Sequence, residues 1–345
     1  MSKKCKFIVV GAGLSGSTVA RLLAEKGHKI VVMEKSDHVA GNAFDYVIDD
    51  GHRIHKYGPH LFHTNNVKVF EFLSRFTEWV KYEHKVKALL EDGRLVTLPV
   101  NKETKEIVGE ENVIDIFFRP YTEKMWGMSL ERVSPSIMNR VPIRDDMNEL
   151  YFPNDDIQVL PKDGYTKMVE NMLDHENINV MTGCDFMEFG KTGYGGDFIA
   201  SADWIFNSMP IDEYFNYIHG HLPYRSLKFH HATLPLENVL QAATVNFTNT
   251  GPYTRITEWS KLPNSYGSSE TSAVMWEEPC AAEENGDRKF YPVKDVDGEN
   301  RKLYEKYKKM ARPYSITFIG RLGLYAYLDM DQAVNSAMRA AEDFK

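Results

Sequence analysis

The glycines at positions 11, 13 and 16 constrain this chain more than any other feature, because of what flanks them. Phe7 to Val10 is a short apolar, β-branched run that reads as a buried strand. Gly11-Ala12-Gly13-Leu14-Ser15-Gly16 follows at once. Apolar residues then recur at helical spacing through Val19, Ala20, Leu22 and Leu23, with Gly27 as a stop signal. Lys29 to Met33 reads as a second strand, ending at Glu34. In such a β-α-β unit the first glycine makes a tight turn, the second admits a pyrophosphate, and the third lets helix and strand pack closely. Leu14 and Ser15 open a helix whose free N–H groups face phosphate. Glu34 stands where an acid binds ribose hydroxyls. The pattern predicts a Rossmann-like α/β domain that holds a dinucleotide.

Length and charge set the outer bounds. A chain of 345 residues is more than one core usually serves, so two or three subdomains are expected. The formal net charge of −8 argues against non-specific nucleic-acid binding. Cys5, Cys184 and Cys280 have no metal-ligand spacing, and three scattered cysteines suggest reduced thiols in the cytoplasm. The apolar run after the basic start meets Gly11 too early for a signal-peptide core. No stretch reaches membrane-spanning length. No metal site is expected, since the histidines at 55, 60 and 63 lack convergent spacing.

Two further signals bear on the dinucleotide. Glu34 is followed by Lys35 and then by Ala40-Gly41-Asn42, a glycine turn typical of FAD domains of the glutathione-reductase type. Near the C-terminus, Ile316 to Ile319 reads as a strand ending in Gly320-Arg321, and Asp331 to Phe344 as a helix. Together the two ends favour FAD over NAD. Elsewhere, Val86 to Pro99 reads as a hairpin around Asp92-Gly93. Asn112 to Ser129 and the stretch around Ser134 to Arg140 are helix-like. Gly164 to Leu173 reads as a helix with Tyr165, Met168, Val169 and Met172 on its apolar face. Ala242 to Phe247 and Thr254 to Trp259 read as strands.

The most specific segments are HKYGPHLFHT from His55 to Thr64, YTEKMWG from Tyr121, and PYTR from Pro252. With NRVPIRDD, DGYTKMVENML, FYPV and GRLGLYAYLDM, in this order, the chain resembles the UDP-galactopyranose mutase family over nearly its whole length. The resemblance implies an α/β fold with a Rossmann-like FAD-binding domain of the glutathione-reductase type, a small helical domain and an antiparallel β-sheet domain. The implied boundaries are 1–82, 162–222 and 302–345 for the FAD domain, 102–150 for the helical domain, and 83–101, 151–161 and 223–301 for the sheet domain. It implies a flavin-dependent isomerase that interconverts UDP-galactopyranose and UDP-galactofuranose through a covalent adduct of the sugar with N5 of reduced flavin, without net redox change. FAD is the implied cofactor, a UDP-sugar the implied partner, and a homodimer is an arrangement the family allows.

The resemblance also assigns residues. Gly11, Gly13, Leu14, Ser15, Gly16, Glu34, Lys35, Gly41, Asn42, His60, Arg321, Tyr327, Asp329 and Met330 are expected around FAD. Arg144 and Arg255 match the pair that holds the substrate diphosphate, for which the planar guanidinium fork suits phosphate oxygens. Tyr165, Tyr291 and Tyr327 match phosphate-contacting tyrosines. Tyr121 and Trp126 match the uridine and sugar ends of the cleft, and Asn246 an asparagine near them. His60 and His63 are candidates for acid–base work beside the flavin, because imidazole titrates near neutrality.

Departures from the family pattern mark a compact, divergent member. Ala40 stands where a glycine is usual, which suits alanine if its φ is negative. Asp163 replaces a glycine before Gly164-Tyr165, and its carboxylate would weaken a diphosphate site unless it points outward. The segment between Asn101 and Phe117 is shorter than in bacterial members, and Leu328 stands where an aromatic follows the tyrosine. Two other readings stay open on sequence alone. One is a flavin amine oxidase or desaturase on the same fold; the other is a protein that binds FAD or a UDP-sugar without turnover.

Overall fold

The structure is a computed structural model that describes residues 6–135 and 142–344. Cys5 and most of the helix-like stretch from Ser134 to Arg140 lie outside the described residues. β1 (Lys6–Val10) and β2 (Lys29–Met33) are joined by the helix Leu14–Glu25. With β10 (Ile178–Met181), β11 (Trp204–Asn207) and β17 (Ile316–Phe318) they form a five-stranded sheet of order β10-β2-β1-β11-β17, parallel throughout. Helices cover both faces, so β1 is apolar at successive positions: Phe7 and Val9 enter one core cluster, Ile8 and Val10 another. The C-terminal helix Met330–Glu342 packs on Leu14–Glu25, as does the helix Gly164–Leu173. The chain's two ends therefore meet beside the glycine turn.

A second sheet has seven strands, in the order β16-β12-β15-β14-β13-β7-β8. They are β7 (Val86–Leu89), β8 (Leu95–Leu98), β12 (Tyr224–Leu234), β13 (Thr244–Phe247), β14 (Arg255–Glu258), β15 (Ser272–Ala281) and β16 (Tyr291–Pro292). All pairings are antiparallel except β7 with β13. Trp259 and Met275, from this part of the chain, are fully buried in the same apolar core as Phe7 and Leu23.

Two small sheets join these layers. β3 (Asp45–Val47) pairs with β4 (Arg53–His55); β9 (Ile157–Pro161) lies between β5 (Phe62–Thr64) and β6 (Trp79–Lys81). The segment 151–161 therefore contributes its strand to neighbours near the first domain, not to the seven-stranded sheet. Leu160, fully buried in the core that holds Phe62, fixes that choice.

The short helical region opens with the helix Lys102–Val108, capped by Asn101, and continues through a π-helical turn at Ile114–Phe118 into the helix Arg119–Trp126. Pro120 sits in its first turn, where its missing N–H is harmless, and Gly127 ends it at a φ of 64°. No helix among the described residues is long and apolar enough to cross a membrane.

Candidate functional site

The glycine turn behaves as its spacing implies. Gly11 has a φ of 94°, and a Cβ there would lie 2.1 Å from Ser208 Oγ; one at Gly16 would lie 1.9 Å from the Gly11 carbonyl oxygen. Gly13 and Gly41 face each other, with a Cβ on Gly41 only 3.1 Å from Gly13 Cα. The walls of the turn thus approach backbone to backbone, leaving a groove that side chains would fill. The Glu34 carboxylate accepts the Ala12 N–H at 2.7 Å and the Ser36 N–H at 2.8 Å. Each oxygen keeps a lone pair for a hydroxyl.

A cleft of ≈ 210 Å³ gathers Gly11, Gly13, Leu14, Ser15, Gly16, Glu34, Gly41 and Asn42 from one end of the chain. Arg321, Asp329 and Met330 come from the other, and His60 lies between them. Asp329 also caps the C-terminal helix in a reciprocal box with Gln332. Lys35 does not line this cleft: successive residues beyond β2 point to opposite sides, so Glu34 turns in. The Lys35 ammonium turns out to Asp185 at 2.9 Å, with its side chain 72% exposed. Ser208 lines the cleft and was missed in the sequence; it follows β11, and its hydroxyl donates to the Val10 carbonyl at 2.7 Å.

Ala40 corrects an expectation. Its φ is 71°, in the left-handed region, with the residue buried and its N–H donating to the Ala12 carbonyl at 2.9 Å. Alanine tolerates this conformation at a cost of roughly 1–2 kcal/mol.

His60 lies where the HKYGPHLFHT loop meets the cleft. Its N–H donates to His55 Nδ1 at 3.0 Å, and its own Nδ1 is 2.8 Å from the Gly58 carbonyl. A carbonyl only accepts, so Nδ1 carries the proton and Nε2 keeps its lone pair. Burial, and then the neighbouring His55, draws the imidazole down to about 3. His60 is therefore a neutral acceptor at physiological pH, not an acid. His63 lies elsewhere. Its Nδ1 is 2.6 Å from Asp155 Oδ2 and its ring stacks on Phe152 at 3.6 Å, on the side of β5 away from the core.

The substrate-side residues meet on the seven-stranded sheet. Asn246, Arg255 and Glu277 are register partners across β13, β14 and β15, so their side chains share one face. Arg255 Nη2 donates to the Tyr121 hydroxyl at 2.6 Å, and Arg255 Nε lies 3.3 Å from Glu277 Oε2. Burial opposes the Arg255 charge, but Glu277 outweighs it and keeps the guanidinium protonated. Burial pushes the Glu277 carboxyl up against the pull of Arg255. Burial also pushes the Tyr121 hydroxyl up to about 12, so it stays a donor. Asn246 Oδ1 and Arg255 Nε are buried without a hydrogen-bond partner.

An aromatic wall links this row to the cleft. Tyr291 and Tyr327 stack at 5.3 Å, Trp126 stands 6.5 Å and 6.3 Å from them, and the Arg321 guanidinium lies 5.1 Å over each tyrosine ring. Gly58 brings the histidine loop within reach: a Cβ there would lie 3.5 Å from Glu277 Oε1. Glu277 was missed in the sequence because WEEP carries no motif; only its register opposite Arg255 reveals it.

Two expected substrate residues lie apart from the row. Tyr165 is 0% exposed, packed edge-on to His55 at 5.6 Å in the core, so it has no surface for a phosphate. The glycine before it explains why. Gly164 has a φ of 89°, and a Cβ there would strike Asp45 and Arg53, so the chain enters tightly and carries Tyr165 inward. Asp163 is exposed and points outward. Arg144 is folded into its own loop, donating to the carbonyls of Leu150 (3.1 Å) and Asn148. No hydrogen bond joins it to Arg255 or Tyr121 among the described residues.

Comparison with known proteins settles the family. The UDP-galactopyranose mutase profile matches residues 116–327, and an NAD(P)-binding Rossmann-like profile matches residues 9–76. A probable UDP-galactopyranose mutase of Klebsiella pneumoniae is 33% identical over 98% of this chain and 94% of its own length. The chain belongs to the UDP-galactopyranose mutase family. A dTDP-fucopyranose mutase of Escherichia coli is 30% identical, over 98% of this chain and 97% of its own. A crystal structure of a reduced UDP-galactopyranose mutase shares the fold, with a TM-score of 0.77 at 16% identity over 98% of this chain and 95% of that one. Family membership makes the chain an enzyme, a flavin-dependent isomerase with FAD as cofactor and a UDP-sugar as substrate class.

Proposed function

We propose that this member interconverts UDP-galactopyranose and UDP-galactofuranose without net redox change. The observation that carries the reading is Arg255, fixed between Tyr121 and Glu277 on a sheet face that leads past Tyr291 and Tyr327 to the dinucleotide cleft. The cleft fits FAD: its opposed glycines leave a backbone-lined groove, and Glu34 offers lone pairs where ribose hydroxyls would lie. Bound in reduced form, FAD would supply a nucleophilic nitrogen, N5, to form a covalent bond to the anomeric carbon as UDP leaves.

The chain's own residues do the rest. Arg255 holds the diphosphate and stabilises the charge that builds on it as the sugar–phosphate bond breaks. Tyr121, Tyr291 and Tyr327 offer hydroxyl donors to the same oxygens, and Trp126 closes the sugar side. Asn246 Oδ1 accepts from a hydroxyl or a uracil N–H. His60 Nε2 accepts a hydrogen bond at the cleft's inner end. Arg144 adds a second cation when its side chain turns to the diphosphate. His63 and Tyr165 are not carried into this site, nor is Lys35 carried into the cofactor set. Gly11, Gly13, Leu14, Ser15 and Gly16 surround the pyrophosphate; Gly41, Asn42, Arg321, Asp329 and Met330 complete the flavin side.

The same reading divides the chain into an FAD domain (up to residue 82, 151–222 and from 302), a helical domain (102–150) and a sheet domain (83–101 and 223–301). It takes the protein as cytoplasmic and as a homodimer, the first supported by unpaired Cys184 and Cys280.

Arg255→Ala should retain FAD and lose about 2–4 kcal/mol of transition-state stabilisation, roughly 30- to 1000-fold in turnover of UDP-galactofuranose. Near-normal turnover would remove Arg255 from the site.

A further inference from the structure

Lys124 has an unusual set of partners. Its ammonium donates to three main-chain carbonyls, those of Phe247 at 3.0 Å, Asn249 at 2.9 Å and Tyr253 at 2.9 Å. An ammonium has three N–H bonds, and all are used. Among the described residues no carboxylate pairs with it. Burial lowers the group to about 8, while the three carbonyls, by accepting from the ammonium, favour its charged form. A lysine on a helix surface can extend into water at little cost, so this arrangement needs a reason.

The reason lies in what the three carbonyls belong to. Phe247 is the last residue of β13, and Asn249 and Tyr253 lie in the turn of residues 248–254 between β13 and β14, whose flanking strands carry Asn246 and Arg255. Lys124 belongs to the helix Arg119–Trp126, three residues after Tyr121, so both side chains leave one helical face. Tyr121 holds Arg255 at one side of the hairpin; Lys124 holds the turn at the other. The helix is fastened in return by Arg225 of β12, which donates to the carbonyls of Met125 at 2.8 Å and Lys124 at 3.2 Å. β7 and β15 hold the strands of this hairpin from either side, so what is left to fix is the turn beyond them and the residues at its mouth. Tyr121 and Lys124, from one helical face, hold the Arg255 guanidinium and that turn together.

We propose that Lys124 is a positioning residue of the substrate site, a latch that holds the β13–β14 turn so that Arg255 and Asn246 face the nucleotide diphosphate in a fixed geometry. The inference rests on the reading of Arg255 as the diphosphate contact. Arg255 both holds the diphosphate and stabilises the charge that builds on it, so a misaimed guanidinium weakens UDP binding and transition-state stabilisation together, and the effect falls on both KM and kcat.

The test uses FAD-loaded full-length protein, with UDP as the binding probe. Lys124→Met should raise the Kd for UDP by about 10-fold and lower kcat/KM for UDP-galactofuranose by about 10-fold or more, through both KM and kcat, with FAD content unchanged. Lys124→Arg, which keeps donors for the carbonyls, should recover most of the loss. Because the latch acts through Tyr121 and Arg255, Lys124→Met and Tyr121→Phe should be non-additive, the double variant binding UDP little worse than Tyr121→Phe alone. Lys124→Gln, a milder change, serves if Lys124→Met fails to fold. Wild-type UDP affinity in Lys124→Met, or full additivity with Tyr121→Phe, would overturn the latch. So would a loss of FAD and thermal stability that Lys124→Arg does not restore. If Arg255→Ala and Tyr121→Phe themselves leave UDP affinity unchanged, it is the reading of Arg255 that fails.

Discussion

The histidines show how one residue type takes different work from its surroundings. His55 is fully buried between Tyr165 and Trp259 and serves the loop by accepting the His60 N–H. His84 is buried beside Tyr82, Tyr151 and Phe152. Burial draws each down to about 3, aided by Arg53 at His55 and by Arg255 at His84. An unfolded histidine titrates near 6.5, so between about pH 6.5 and 3 the unfolded chain binds the extra protons. Their contribution is complete above about pH 6.5 and is lost as the pH falls through that window. At pH 5 each could remove up to roughly 2 kcal/mol. The melting temperature should therefore fall between pH 7.5 and 5, and His84→Phe should shrink the fall. An unchanged melting temperature across that range would contradict the buried neutral state. Sequence showed that His55, His60 and His63 were clustered. It could not show which ring nitrogen meets a carbonyl and which a carboxylate, and that difference separates His60 from His63.

Among the elements, those with strong local signals stand where the sequence puts them. β1, the helix after it and β2 match the glycine fingerprint, and Gly164–Leu173 matches its apolar periodicity. β5, β6 and β9 are three to five residues long, too short for periodicity, and β9 joined neighbours that no pattern announces. The loop carrying Arg144 is a different kind of element. Asp146 Oδ1 accepts the Asn148 N–H at 3.0 Å, and Asn148 Oδ1 accepts the Leu150 N–H at 2.9 Å. Arg144 then closes the loop on its own carbonyls. The Arg144 N–H donates to the Val100 carbonyl and the Lys102 N–H to the Asp146 carbonyl, both at 2.9 Å, so the loop backbone is tied to its neighbours and the Arg144 side chain is the part that turns. Saturating UDP should slow amide exchange and proteolysis over residues 142–150 as Arg144 turns to the diphosphate. Unchanged protection would leave Arg144 as a structural residue of its loop.

At the scale of the whole molecule, the site exists only because distant segments converge. The glycine turn and the C-terminal helix make the cleft, the histidine loop crosses it, and the helix Arg119–Trp126 meets the seven-stranded sheet above it. Motifs made Arg255, Tyr121, Tyr291 and Tyr327 legible one by one. The carboxylate that holds Arg255 and the lysine that holds its turn are visible only through strand register and backbone contacts. On the proposed reading this arrangement serves one reaction, the contraction of a sugar ring on a nucleotide, with electrons needed but not consumed. The most direct measurement is chromatography of UDP-galactofuranose incubated with the FAD-loaded protein, with and without dithionite. The account predicts conversion to UDP-galactopyranose over many turnovers when the flavin is reduced and almost none when it is oxidised. Equal activity with oxidised flavin, or no UDP-galactopyranose from the reduced enzyme, would contradict it.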